Sequence, residues 1–388
     1  MRITYFTETY TPEVNGVALT VERTVRHLRE RGHALDLVRP RQPAEEARCD
    51  EREWRTAGAA IPMYPDLRFG LARVAAVKRR LHSSRTQLVH VATQGPLGRA
   101  ALLAARSLGL PVTTDFRTNF HAYSHYYRLG ALAPLVWRYL RNFHNEADCS
   151  FVPTRALAEE MRGQGFERLE VVGRGVDAEL FTPKRRSRAL RSNWGVVSDQ
   201  PVMLYVGRLA AEKNVELALR AFVECRRERP DARMVVVGDG PQRALLQARF
   251  PGVRFVGTQR GEALAAHYAS ADIFVFPSAS ETFGNVTLEA LASGLAVLAF
   301  DTAAAAEHVS DGVNGMLVQT GQAAGFVARA RQAIKSPQSM SQSLMRQLAR
   351  ESALSANWDD VLQRFERRLL HHAALHAALR RHDVAAVA

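Results

Sequence analysis

A chain of 388 residues, 47% of them hydrophobic, suffices for two domains with full cores, and its lack of any apolar run of 18 or more excludes a membrane-spanning helix. Three cysteines, Cys49, Cys149 and Cys225, lie too far apart for a C-x-x-C site or a disulfide framework, which fits a reducing cytoplasm. Lys plus Arg outnumber Asp plus Glu by 52 to 39, and a net charge of +13 favours polyanions such as nucleotide phosphates or anionic lipid headgroups; nucleic acid is disfavoured because no recognition motif or interleaved aromatics accompany the charge.

The start, MRITYFTETY, has no apolar h-region and predicts a first strand over residues 1–6 instead of a secretion signal. A loop with Asn15 and Gly16 follows, then a helix over 20–31 closed by Gly32, and a strand over 34–38. LRFGLARVAAVKRRL (67–81) has apolar residues at helical spacing, with Arg73, Lys78, Arg79 and Arg80 opposite them. It predicts an amphipathic helix, packed on a core or lying on an anionic membrane. Strands over 87–92, 112–115 and 149–152 complete a first domain ending at 181. Alternating strands and helices predict a parallel sheet covered on both faces.

TPKRRSR (182–188) is basic and polar, and with VVSDQP (196–201) it predicts a linker region over 182–201 around a helix that ends at Trp194. A second α/β domain is expected over 202–357, with strands at 202–207, 233–238, 253–256, 272–277 and 296–300. WDDVLQRFERRLLHHAAL (358–375) starts a terminal helix running to about residue 380. His371, His372 and His376 show no acidic spacing that a metal site would need, and read as solvated. Two doubly wound α/β domains facing a central cleft are the expected fold.

The most informative segment is SASETFGNVTLEALASGLAVLAFDTAAAAEHVSDGVNG (278–315), which follows the apolar strand ending at Phe276. Glu281 and Glu289 are eight apart, so a helix joining them turns both side chains to roughly one side. Between them Gly284, Asn285, Val286, Thr287 and Leu288 lead into a helical pattern, the arrangement by which a chain offers free backbone N–H groups to an anion. A strand, a turn and a helix start are where α/β proteins bind ligands.

This segment, with FTETYTPEVNGV (6–17), VGRLAAEKN (206–214) and VGDGP (237–241) in that order, resembles the retaining glycosyltransferases of GT-B architecture. Within that large family the resemblance is to the bacterial GDP-mannose-dependent α-mannosyltransferases and glycolipid synthases, and it extends over nearly the whole chain. It implies two Rossmann-like domains: an acceptor-side domain first, a nucleotide-sugar domain second, and a terminal helix over 358–380 packing back on the first. It implies that Gly16, Arg208 and Lys213 meet the diphosphate, together with the amides from Gly284 to Leu288. Glu281 then serves the donor sugar's hydroxyls, Glu289 the ribose, and Thr258, Gln259 and Arg260 the base. Arg117 and His121 border the reacting sugar; many relatives have histidine where this chain has Arg117. The usual proposal for the family is a front-face reaction in which the leaving phosphate takes the acceptor's proton.

No D-x-D pattern offers a metal site, whereas Arg208 and Lys213 are fixed cations suited to a departing diphosphate. The expectation is a cytoplasmic, metal-independent hexosyltransferase, peripheral on the membrane if the basic helix docks there. The donor is a nucleoside diphosphate sugar, mannose before glucose, and the acceptor a lipid or glycan. The alternatives are a soluble small-molecule acceptor and a non-catalytic nucleotide-sugar-binding protein.

Overall fold

The computed structural model describes residues 1–11, 13, 16–42, 45, 52–61, 64–117, 133–197, 199–335 and 339–387. They divide into two compact units, one holding 1–117, 133–173 and 361–387, the other 174–360.

The first unit is built on an eight-stranded sheet of β1 (Arg2–Phe6), β2 (Ala34–Pro40), β3 (Glu53–Ile61), β4 (Tyr64–Leu71), β5 (Leu88–Val91), β6 (Val112–Asp115), β7 (Cys149–Val152) and β8 (Leu169–Val171). Their order is β4-β3-β2-β1-β5-β6-β7-β8, parallel except where β3 and β4 form an antiparallel hairpin. Strand order reverses between β1 and β5, the kind of point at which α/β sheets bind ligands. The hairpin and β8 are absent from the expected strands. β3 reads EWRTAGAAI, with a glycine and small residues in place of the β-branched pattern that marks a strand, and β8 is three residues long.

The hairpin also corrects the amphipathic helix expected over 67–81. Its first part is strand β4, where Gly70 pairs with Gly58 and Arg68 donates to the Gly58 carbonyl at 2.6 Å. The helix proper is Val74–Ser83. Its apolar residues Val77 and Leu81 are buried with Phe6, Val38 and Val89, and Arg80 binds Asp36 through Nε at 2.8 Å. The apolar face therefore belongs to the core and is not offered to a membrane. Among the described residues no helix is long and apolar enough to cross one.

From Val361 the long helix Trp358–Val387 packs in the first unit, where Phe365, Leu369 and Ala373 are buried with Ile3, Tyr5 and Val21. Glu366 accepts hydrogen bonds from His27 (3.1 Å), Arg31 (3.1 Å) and His33 (3.0 Å). The histidines read as solvated include two with acidic partners: His372 meets Glu170 at 2.8 Å and His376 meets Asp148 at 2.9 Å. Those acids come from β8 and from the residue before β7, so sequence spacing along the helix could not reveal them.

The second unit has a six-stranded parallel sheet of β9 (Val202–Val206), β10 (Arg233–Val237), β11 (Arg254–Gly257), β12 (Ile273–Phe276), β13 (Ala296–Phe300) and β14 (Met316–Val318). The order is β11-β10-β9-β12-β13-β14, with reversal between β9 and β12. VMLYV, IFVF and AVLAF are apolar throughout because helices cover both faces, and all their residues are buried.

The described residues of 182–201 are anchored to the second unit at several points. Trp194 and Val196 lie in the second unit's core. Arg186 donates to the Ala269 and Ala271 carbonyls and to Asp272, and Arg191 to the Ser270 carbonyl and Asp272. The two guanidiniums thereby satisfy the carbonyls at the C-terminus of helix Gly261–Ser270, where cations also complement the helix dipole.

Candidate active site

The second unit's reversal point places two loops side by side. After β9 come Gly207 and exposed Arg208, a 3₁₀ turn Ala211–Lys213, and then helix Val215–Glu228. After β12 come Ser278, Glu281 and Gly284, then helix Asn285–Ala292. Lys213 Nζ meets Glu281 Oε1 at 2.5 Å, and the Ser278 hydroxyl donates to the same oxygen at 2.8 Å. Both charged side chains are only about one-seventh exposed (14% and 13%), so the pair is screened less than a surface ion pair.

Gly284 sits in the left-handed region (φ 86°, ψ 64°), a conformation costly for any residue with a Cβ. An added Cβ would also lie 3.3 Å from Glu281 Cγ. Among the described residues no side chain caps this helix start, an arrangement suited to an external acceptor, while the Thr287 N–H bonds to the Gly284 carbonyl at 3.0 Å. Arg174 braces this turn: its guanidinium lies 5.8 Å over the Phe283 ring and reaches Asn285 Oδ1 at 3.4 Å. Val286 is half-buried, Thr287 and Leu288 are buried, and Glu289 accepts from the Tyr268 hydroxyl at 2.9 Å.

Between β11 and helix Gly261–Ser270, Thr258 and Arg260 are exposed, and Gln259 donates to the Val256 carbonyl at 3.0 Å. The structure thus joins Lys213 to Glu281 directly. It puts Gly284, Asn285, Val286, Thr287, Leu288 and Glu289 on the adjoining helix start. Ser278, Arg174 and Tyr268 were not singled out in the sequence; Ser278, three residues before Glu281, carried a local signal, whereas the other two are distant in the chain.

In the first unit Gly16 opens helix Gly16–Glu30, accepting the Thr20 hydroxyl at 2.7 Å. Arg117 is committed to Asp115, with Nε at 2.6 Å, and buried His90 bonds to the same carboxylate at 3.0 Å. Burial pushes the Asp115 carboxyl up, but Arg117 and His90 outweigh it and hold it below its ordinary value. His121 lies outside the described residues. Cys149, Glu170 and His372 approach one another closely enough to hold a metal, yet the Glu170 carboxylate is already paired with Arg368 as well as His372.

Glu8, at the first unit's reversal point, was legible only as part of FTETY. Its carboxylate accepts the backbone N–H groups of Leu97 (3.0 Å) and Gly70 (3.3 Å). Gly95 makes room for it, since a Cβ there would fall 1.7 Å from Glu8 Oε2. Burial pushes the carboxyl up from 4.5 to about 7 against the opposing backbone hydrogen bonds. The folded protein then retains a proton between those values that the unfolded chain has released. Stability should fall as pH rises through that window, by on the order of 3 kcal/mol. The melting temperature of Glu8→Gln relative to wild type should therefore rise from pH 4.5 to 7 and level off above; a pH-independent difference would show that Glu8 is not the group responsible.

Two family models match: "Glycosyltransferase Family 4" over residues 14–180 and "Glycosyl transferases group 1" over 200–336. The chain is 36% identical over 324 residues to a GDP-mannose-dependent α-mannosyltransferase of Mycolicibacterium smegmatis, covering 82% of this chain and 84% of that one. It is 27% identical to an α-monoglucosyldiacylglycerol synthase of Streptococcus pneumoniae, covering 82% and 75%. Its fold is similar to sucrose-phosphate synthase from Thermosynechococcus elongatus, with a TM-score of 0.78 over 96% of this chain and 99% of that one at 19% identity. By these matches the chain belongs to the group 1 glycosyltransferases, with the two Rossmann-like domains of the GT-B fold.

Proposed function

We propose that this enzyme moves mannose from GDP-mannose, with retention of configuration, onto a lipid or lipid-linked glycan acceptor. The observation that carries the reading is the Lys213–Glu281 pair beside the Gly284-capped helix start. In this reading Lys213 and Arg208 stabilise the negative charge that grows on the departing diphosphate, aided by the helix N-terminus. A phosphate oxygen competes with Glu281 for the ammonium, and the carboxylate then accepts from the donor's hydroxyls. Glu289 holds the ribose, and Thr258, Gln259 and Arg260 line the base. Gly16, Arg117 and His121 are assigned to the acceptor-side unit.

The mannosyl donor is favoured by the 36% identical relative named for GDP-mannose, and a lipid acceptor by the relative named for a glycolipid. The net charge of +13 supports contact with anionic headgroups. Fixed cations make a divalent ion unnecessary for the leaving group. A thermal-shift panel of GDP, UDP and ADP in EDTA tests donor class and metal dependence together. GDP should raise the melting temperature most, and EDTA should not abolish the shift. Stabilisation that appears only with Mg²⁺ or Mn²⁺ would contradict the metal-free reading, and stabilisation by UDP alone the mannosyl donor.

A further inference from the structure

Glu289 lies on the fifth residue of helix Asn285–Ala292, and a glutamate there has several rotamers available. One of its oxygens accepts a hydrogen bond from a buried group on another helix. Tyr268, the eighth residue of helix Gly261–Ser270, has no exposed surface and donates its hydroxyl to Glu289 Oε2 at 2.9 Å. The ring is held edge-on by Phe181, with centroids 5.6 Å apart, and tilted against Phe274 at 5.8 Å. The hydroxyl therefore cannot swing away from the carboxylate without breaking core packing. Burial and then the Glu289 charge hold it well above its ordinary pKa, so it remains a donor.

We infer that Tyr268 is a positioning residue for the donor's ribose, aligning the Glu289 carboxylate with the ribose hydroxyls through a buried hydrogen bond. The inference rests on the assignment of Glu289 to the ribose. A carboxylate offers about four acceptor positions, so a bond to Tyr268 leaves room for a hydroxyl. The tyrosine also joins two structural features: its helix begins directly after the segment assigned to the base, and its hydroxyl reaches the acid assigned to the sugar. A purely structural tyrosine would support both ligand parts alike, whereas a positioning one acts on the ribose hydroxyls alone.

The test is binding of GDP and of 2′,3′-dideoxy-GDP to wild type, Tyr268→Phe and Glu289→Gln, by calorimetry. Tyr268→Phe removes one oxygen and keeps the ring. It should weaken GDP about tenfold, the worth of a hydrogen bond to a charged group, and leave the dideoxy nucleotide unchanged. Glu289→Gln should show the same selectivity, and the double variant should be no worse than Glu289→Gln alone, because the tyrosine acts through the acid. In turnover, KM for the donor should rise with kcat nearly unchanged. Equal GDP affinity in wild type and Tyr268→Phe, or equal losses for both nucleotides, would overturn the role of Tyr268 while leaving the donor site in place. Failure of wild type to bind any nucleoside diphosphate would overturn the donor site and the inference together.

Discussion

Lys213→Ala is expected to lower transfer from the nucleotide sugar about a hundredfold, with the loss chiefly in kcat. Lys213 stands at the end of the first loop of the second sheet's reversal point, and its side chain is only 14% exposed. A cation in such a place matters most when charge develops on the leaving oxygen, because little water is present to compensate. Removing it also strands the Glu281 carboxylate, which keeps only the Ser278 hydroxyl of the two donors described for it. A modest fall in melting temperature should therefore accompany the loss. Lys213→Arg, which keeps the charge but changes its shape, should recover part of the rate. Near-normal turnover in Lys213→Ala, measured at saturating donor, would remove this residue from the mechanism.

Asp272→Ala is expected to destabilise the second unit by on the order of 3–5 kcal/mol. Asp272 is buried where β12 begins. It accepts Arg186 at 2.8 Å, Arg191 at 3.1 Å and the backbone N–H of Val202 at 2.9 Å, and Arg346 stands 3.7 Å away. Alanine leaves those cations without the charge that balances them, and burial already holds the Arg346 guanidinium below its ordinary pKa. Chemical denaturation followed by tryptophan fluorescence reads the effect, since Trp194 lies in the same core. A loss under about 1 kcal/mol would show that the three arginines are adequately satisfied by backbone carbonyls.

Asp272 also shows why parts of this fold escaped the sequence. TPKRRSR has the composition of an exposed connection, and only the arrival of Asp272 from some 80 residues away anchors its Arg186 and, just beyond it, the buried Arg191. The hairpin β3–β4 failed for a different reason: AGAA carries no β-branched signal, and Gly70, which pairs with Gly58, leaves room for Leu97, since a Cβ there would lie 2.7 Å from that side chain. The long apolar strands were legible because VMLYV, IFVF and AVLAF are short uninterrupted apolar runs, which parallel strands buried on both faces require.

The site divides in the same way. Glu281, Gly284 and Glu289 were legible since a strand, a glycine turn and a helix start follow one another within a few residues. Lys213 came from a separate motif, and its contact with Glu281 required the β9–β12 crossover to bring residues 68 positions apart together. Tyr268 had no signal at all: within its helix it reads as one more core aromatic.

The anomeric configuration of the product tests the mannosyl-transfer reading most directly. Purified enzyme, GDP-mannose and a membrane lipid extract should yield a mannosylated lipid in EDTA, and NMR of that product should show an α linkage, the configuration of the donor. A β linkage would contradict retention. A product formed from UDP-glucose but not from GDP-mannose would contradict the donor.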